Sequence, residues 1–202
     1  MQNLIFDLDG TLLDTETMYM RALQAVLHER GINRPYAELT ATFGIPSRDA
    51  LVRLQIPDLE NVLTAWGDRT VAYQDTVSIY PGVRTALAKL REVGANLAIM
   101  TSKRRFEYER DVVSVGLDQY FKVSVVAENV DHGKPAPDGI LLAMQRLGAD
   151  PASTVYVGDT AYDYTAAHAA GVDFGFAGWN GKTPVNYQPD RLYMTPGDLL
   201  IH

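Results

Sequence analysis

The chain opens on an apolar run, Asn3-Leu4-Ile5-Phe6-Asp7-Leu8, that runs into two carboxylates two residues apart, Asp7 and Asp9. Residues 3–8 predict a buried strand, and Gly10 ends it. Between Thr17 and His28 the apolar positions change period: Met20, Leu23, Val26 and Leu27 recur at helical spacing, with Gly31 as the stop. Shorter helical patterns follow at 36–43, 47–55 and 58–75, punctuated by Gly44-Ile45-Pro46 and Ile56-Pro57. Residues 15–78 therefore read as all-helical.

From Tyr80-Pro81-Gly82 onward the pattern alternates. An amphipathic helix over Val83–Val93 closes at Gly94, and residues 95–100 form a short apolar strand. A helix is expected over 105–115 and a strand over 122–127. Another helix runs from Asp138 to Leu147 and stops at Gly148. Residues 154–157 read as a strand, 163–170 as a helix, and 173–177 and 191–194 as strands, with a helix start near Thr195. Strands alternating with helices predict a parallel sheet covered on both faces. Because the first strand is cut off from the others by the helical stretch, the expected fold is α/β: a Rossmann-like core of 1–14 and 79–202, with an all-helical cap, 15–78, inserted after the first strand.

Composition narrows the classes. With 202 residues, 47% hydrophobic and 21% charged, the chain can bury a sizeable core. A formal net charge of −7 argues against a nucleic-acid surface. Cysteine is absent, which removes disulfides, thiolate metal sites and cysteine nucleophiles. No apolar run approaches the roughly 20 residues of a membrane span, and no signal peptide is evident at the start. The expectation is a cytoplasmic enzyme, monomer or homodimer, with no nucleic-acid or membrane partner. Residues 15–78 hold six arginines and no lysine, whereas all five lysines lie in the predicted core.

Buried acids are costly unless something pairs with them, so the question is what meets Asp7 and Asp9. In open α/β sheets ligand chemistry gathers at the carboxyl ends of the strands. There the sequence places Asp7-Leu8-Asp9, Thr101-Ser102-Lys103 and Gly158-Asp159-Thr160, with Lys134 in a proline-rich loop after the third core strand. This set suits phosphoryl transfer. Ionised at neutral pH, Asp7 can attack phosphorus without a base. Mg²⁺ takes oxygen ligands, for which Asp7 and Asp159 are candidates. Lys134 would offset the remaining charge, and the Thr101 hydroxyl and Ser102 amide would hold phosphoryl oxygens. Asp9, on the same side of the strand as Asp7, would protonate the leaving oxygen and later take a proton from water. Asp163, four residues after Asp159, would either share a helical face with it toward the metal or cap the helix beginning there. Asp9 is counted with these acids as a further candidate ligand.

Asp7-Leu8-Asp9-Gly10-Thr11-Leu12-Leu13-Asp14-Thr15, Thr101, Gly133-Lys134-Pro135-Ala136-Pro137-Asp138 and Gly158-Asp159-Thr160-Ala161-Tyr162-Asp163, in that order, resemble the four motifs of the haloacid dehalogenase superfamily. The helical insertion resembles the cap of its phosphoglycolate-phosphatase and β-phosphoglucomutase branch. That resemblance implies a Mg²⁺-dependent phosphatase acting on a small phosphorylated metabolite through an aspartyl phosphate on Asp7. Gly10, within the first motif, counts with Thr101 and Ser102 as a phosphate-binding candidate. Arg48, in Gly44-Ile45-Pro46-Ser47-Arg48, lies where related caps contact substrate. Haloacid dehalogenases proper lack an acid at the place of Asp9, so Asp9 points to a phosphatase or a mutase. Two alternatives stand beside the phosphatase: a phosphomutase on the same core, and a non-catalytic phospho-acceptor. Asp14 is expected to cap the first cap helix, and Lys103-Arg104-Arg105 to be a solvated helix start. Trp179-Asn180-Gly181 is expected to be a loop near the site with no role assigned, and none is assigned to His28, His132, His168 or His202.

Overall fold

The computed structural model describes residues 2–200. The chain divides into two units, one made of the part up to Leu13 with the part from Ile79 onward, the other of Asp14–Ser78. In chain order, β1 (Asn3–Phe6) precedes a two-residue strand β2 (Leu13–Asp14). Next come α1 (Glu16–Glu29), α2 (Tyr36–Thr40), α3 (Ser47–Arg53) and α4 (Leu59–Arg69). The short β3 (Ser78–Ile79) pairs with β2. Then follow α5 (Val83–Glu92), β4 (Asn96–Met100), α6 (Arg105–Tyr108), β5 (Val123–Val125) and α7 (Asp138–Leu147). The last four are β6 (Thr154–Gly158), α8 (Ala161–Ala169), β7 (Asp173–Ala177) and β8 (Arg191–Tyr193).

Six strands form one parallel sheet in the order β5-β4-β1-β6-β7-β8. β1 lies in its interior, with Leu4 opposite both Leu97 of β4 and Val155 of β6. Successive side chains of a strand face opposite ways, and the packing follows that rule. Leu4 and Phe6, Leu97 and Ile99, and Val155 and Val157 pack with Val83, Ala86, Leu87 and Leu90 of α5. Ile5, Ala98, Met100 and Tyr156 turn the other way, against Ile140, Ala143 and Met144 of α7 and Ala166 and Ala167 of α8. Both faces are covered, which is why these strands read as continuous apolar runs. The chain leaves β1 for β4 on one side and returns to β6 on the other, so the direction of winding reverses at β1, and ligands bind at such switch points.

The helical unit has its own core. Met20, Leu23, Val26 and Leu27, the positions that predict α1, are all buried there beside Leu51, Val62 and Trp66. The Trp66 indole donates to the Tyr19 carbonyl at 2.8 Å.

Several boundaries differ from those the pattern predicts. The helix expected over 105–115 is one α turn followed by a wider π turn, Glu109–Val113, which carries Asp111 into the interior. The 58–75 stretch changes to a 3₁₀ segment at Thr70, whose hydroxyl bonds the Gly67 carbonyl and competes with the helical ladder. α8 begins at Ala161 rather than 163, because Thr160 caps it. Thr15, not Asp14, holds the N-cap position of α1, and Asp14 accepts the Glu16 N–H at 3.3 Å.

Candidate active site

The carboxyl edge of the sheet carries the polar groups. Asp7 follows β1, and its N–H still bonds the Val157 carbonyl at 2.9 Å, so the side chain leaves a backbone fixed in the ladder. Thr101 continues β4 in the same way, its N–H bonding Val125. Asp159 follows β6 directly. Among the described residues, oxygens of Asp7, Asp159 and Asp163 lie within 4.8 Å of one another, and all three residues are buried.

Local chemistry puts each acid in place. The Thr160 side chain accepts the Asp163 N–H, while Asp163 Oδ2 accepts from the Thr160 N–H at 3.0 Å and its hydroxyl at 2.6 Å. This is a capping box at the start of α8. Its second oxygen, Oδ1, is left for Lys134. Asp163 thus serves the helix start and the acidic group together. Asp159 lies before the helix, so the two acids do not share a helical face; the turn into α8 joins them. A Cβ at Gly158 would come within 2.5 Å of the Asp163 carboxyl carbon, and one at Gly10 would strike the Asp159 carboxylate. Gly10 also has φ +81°, which suits glycine. Its N–H and carbonyl are both used within the fold, by Leu13 and Asn180, and its missing side chain leaves room for Asp159.

Lys134 is bound to this group. Its Nζ donates to Asp7 Oδ1 and Asp163 Oδ1, each at 2.7 Å, and the side chain is 8% exposed. Burial works against its charge, but Asp163 and Asp7 overcome that and raise its pKa well above the ordinary lysine value. Burial pushes Asp7 up to about 8; Lys134 opposes the rise, and Asp163 and Asp9 add to it. Burial likewise raises Asp159 to about 6 against the pull of Lys182. Three carboxylates, short of cations and ligating through oxygen only, fit a small divalent ion.

Asp9 belongs to a different set. Its Oδ1 is 2.9 Å from Lys103 Nζ, which also reaches Asp111 Oδ2 at 2.9 Å. Arg110 in turn donates to both oxygens of Asp111, at 2.5 and 2.8 Å. Lys103 is therefore not a solvated helix start: its side chain is 1% exposed. Ser102, Arg104 and Arg105 are exposed, and Thr101 is buried with its hydroxyl accepting the Lys103 N–H at 3.2 Å. Asp9's carboxylate lies outside the three-acid group, so its side chain is not counted among the ligands. In the helical unit, Arg48 pairs with Glu60 and is 57% exposed.

The loop after β7 supplies groups that sequence reasoning left without a role. Asn180 Nδ2 donates to Asp159 Oδ2 at 3.1 Å, and Lys182 Nζ reaches the same oxygen at 2.9 Å. The Trp179 indole donates to the Thr11 carbonyl at 2.8 Å. Tyr156 in β6 places its hydroxyl 3.3 Å from Asp163 Oδ1. Neither Asn180 nor Lys182 follows an apolar strand directly, so spacing could not reveal them; Lys103, two residues after Thr101 at a strand end, carried the better signal. His132 and His168 pair with Asp138 and Asp190, His28 sits in the last turn of α1, and His202 lies outside the described residues.

The family model for haloacid dehalogenase-like hydrolases matches residues 4–177. The probable phosphatase IndB of Dickeya dadantii is 37% identical over 180 residues, 83% of this chain and 77% of that protein. The pyrophosphatase PpaX of Halalkalibacterium halodurans is 32% identical over 204 residues, 97% and 94% of the two chains. A solved structure from Lactobacillus plantarum, provisionally named a phosphoglycolate phosphatase, superposes with a TM-score of 0.92 at 28% identity, covering 99% of this chain and 98% of its own.

Proposed function

From the premise that the chain belongs to the haloacid dehalogenase-like hydrolases, we propose a divalent-cation-dependent phosphatase of small phosphorylated molecules that works through a phosphorylated Asp7. The observation that carries this reading is the buried trio Asp7, Asp159 and Asp163 with Lys134 wedged against two of its members. Asp7, Asp159 and Asp163 would hold Mg²⁺, which when bound favours ionised carboxylates and offsets the charge of an incoming phosphate. The names of its relatives support pyrophosphate and phosphoglycolate as the first candidate substrates, and we add sugar phosphates after them.

An oxygen of Asp7 bonds to phosphorus as the bond from phosphorus to the leaving oxygen breaks, and Asp9 gives its proton to that leaving oxygen. Asp9 then takes a proton from water as the water oxygen bonds to phosphorus and the Asp7–phosphorus bond breaks, releasing inorganic phosphate. Lys134 stays against Asp7 throughout, neutralising charge and fixing the carboxylate's orientation. The Thr101 hydroxyl is the side-chain candidate for holding a phosphoryl oxygen. A phosphomutase would need a second set of cations for its substrate's other phosphate. Arg48, the helical unit's candidate, is already paired with Glu60, so hydrolysis is the reading retained.

A substrate panel tests this: Mg²⁺-dependent phosphate release from pyrophosphate, phosphoglycolate and sugar phosphates, for the native chain and Asp7→Asn. Release should be abolished in the variant, a loss on the order of 10⁶-fold for a deleted nucleophile. Turnover that survives Asp7→Asn excludes the phosphoaspartate route, and interconversion of sugar phosphates without release favours the mutase.

A further inference from the structure

Lys103 takes no part in the chemistry assigned to Asp7, Asp9 and Lys134, yet it is a buried ammonium, a group rarely hidden without a reason. Its backbone is tied on two sides: its N–H to the Thr101 hydroxyl at 3.2 Å, and its carbonyl to the Ala127 N–H at 2.9 Å. Its Nζ is held by Asp111, which lies in the π turn after α6 and is itself gripped by Arg110. π turns of this kind often sit at functional sites. A structural ion pair would be complete with Asp111 alone. Lys103 instead also reaches Asp9, whose side chain is 25% exposed while those of Lys103 and Asp111 are at most 1%. The Lys103 ammonium is turned to two carboxylates, Asp9 and Asp111, rather than to a substrate. What it can do is hold one oxygen of the acid assigned to the substrate, Asp9.

We propose that Lys103, anchored by Asp111 and Arg110, is the positioning residue that fixes the Asp9 carboxylate for proton transfer. The inference rests on the phosphatase reading, which gives Asp9 its role. A fixed carboxylate keeps the proton in line with the leaving oxygen, and small displacements of such groups are costly in rate.

The test compares two phosphomonoesters with Mg²⁺ present. The leaving group of p-nitrophenyl phosphate departs as a stable anion, whereas that of phenyl phosphate needs the proton Asp9 supplies. The readout is kcat/KM, which reports the step in which the leaving group departs. Lys103→Met should lower kcat/KM for phenyl phosphate about 10- to 100-fold more than for p-nitrophenyl phosphate, part of the roughly 10²–10⁴-fold that general acid–base catalysis contributes. Asp9→Asn should show the same discrimination. Asp111→Asn, which keeps shape while weakening the anchor, should shift the ratio in the same direction by less, and it serves if Lys103→Met does not fold. Equal losses on both esters, or none, overturn the positioning role while leaving the phosphatase reading intact. A native chain that turns over neither ester and acquires no phosphate on Asp7 overturns both.

Discussion

Lys134 and Lys103 are both buried ammonium groups near the same sheet edge, but their surroundings differ in charge balance. Around Lys134, three carboxylates share two ammonium groups, its own and that of Lys182. Around Lys103, Asp9 and Asp111 share one ammonium and one guanidinium. In the first cluster burial, with Asp163 and Asp9 adding to it and Lys134 opposing it, pushes Asp7 up to about 8. In the second, burial opposes ionisation of Asp111, but Arg110 and Lys103 overcome it and hold its pKa below the ordinary value. On the proposed reading, the site that takes up a cation is built incomplete and the one that holds a proton carrier still is built complete.

The largest expected effect comes from removing each lysine without metal. Lys134→Met leaves buried carboxylates uncompensated and should cost about 3–5 kcal/mol in urea unfolding. Lys103→Met should cost less, about 1–3 kcal/mol, because Asp111 keeps Arg110 and Asp9 is partly exposed. Equal losses would remove the distinction between the two clusters.

Next is metal addition. Mg²⁺ at a hundred times its dissociation constant should stabilise the native chain by about 2.7 kcal/mol, read as a rise in melting temperature. Asp159→Asn should lose most of that rise, and Lys103→Met should keep it. The sign with pH follows from the raised acids. Asp7 binds its proton more tightly folded than unfolded, so metal-free stability should fall as pH rises from about 4, the unfolded value, to about 8. Asp159 adds in the same direction up to about 6. The gain from Mg²⁺ should therefore grow across this window. A gain that shrinks with pH would contradict the shortage of positive charge in the trio.

Lys182→Ala removes a cation from Asp159 and should tighten Mg²⁺ binding about fivefold, or ~1 kcal/mol, modest because the lysine is one-third exposed. Titration calorimetry reads this directly. Smallest is Arg48→Ala: an exposed pair is worth about 0.2–1 kcal/mol, so stability should barely change. If Arg48 contacts substrate, KM should rise with kcat unchanged.

Much of the acid site could be read from the sequence because β1 and β6 end in polar residues that interrupt apolar runs. Asp7 and Asp159 stand out by contrast, and Lys134 by its proline-rich loop. Of the two readings of Asp163, the capping box bears out the cap, and the acid reaches Asp159 through the turn into α8 rather than along a shared helical face. Lys103 was misjudged because a Lys-Arg-Arg run reads as solvated; only the inward turn of Asp111 buries its first member. Lys182 gives no signal, and Asn180 only the place of its loop near the site, because that loop meets Asp159 by tertiary packing alone. In the fold, short apolar runs and period-3.6 patterns located nearly every element, while the π and 3₁₀ turns depended on hydroxyl and ion-pair contacts that periodicity does not encode.

The chain has two tryptophans, and they fall in different places: Trp66 inside the helical unit's core, Trp179 on the loop that grips Asp159. Each unit therefore carries a native optical reporter. In Trp66→Phe protein the remaining emission watches ion arrival at the acids; in Trp179→Phe it follows unfolding of the helices, so the two halves can be followed separately without any attached dye.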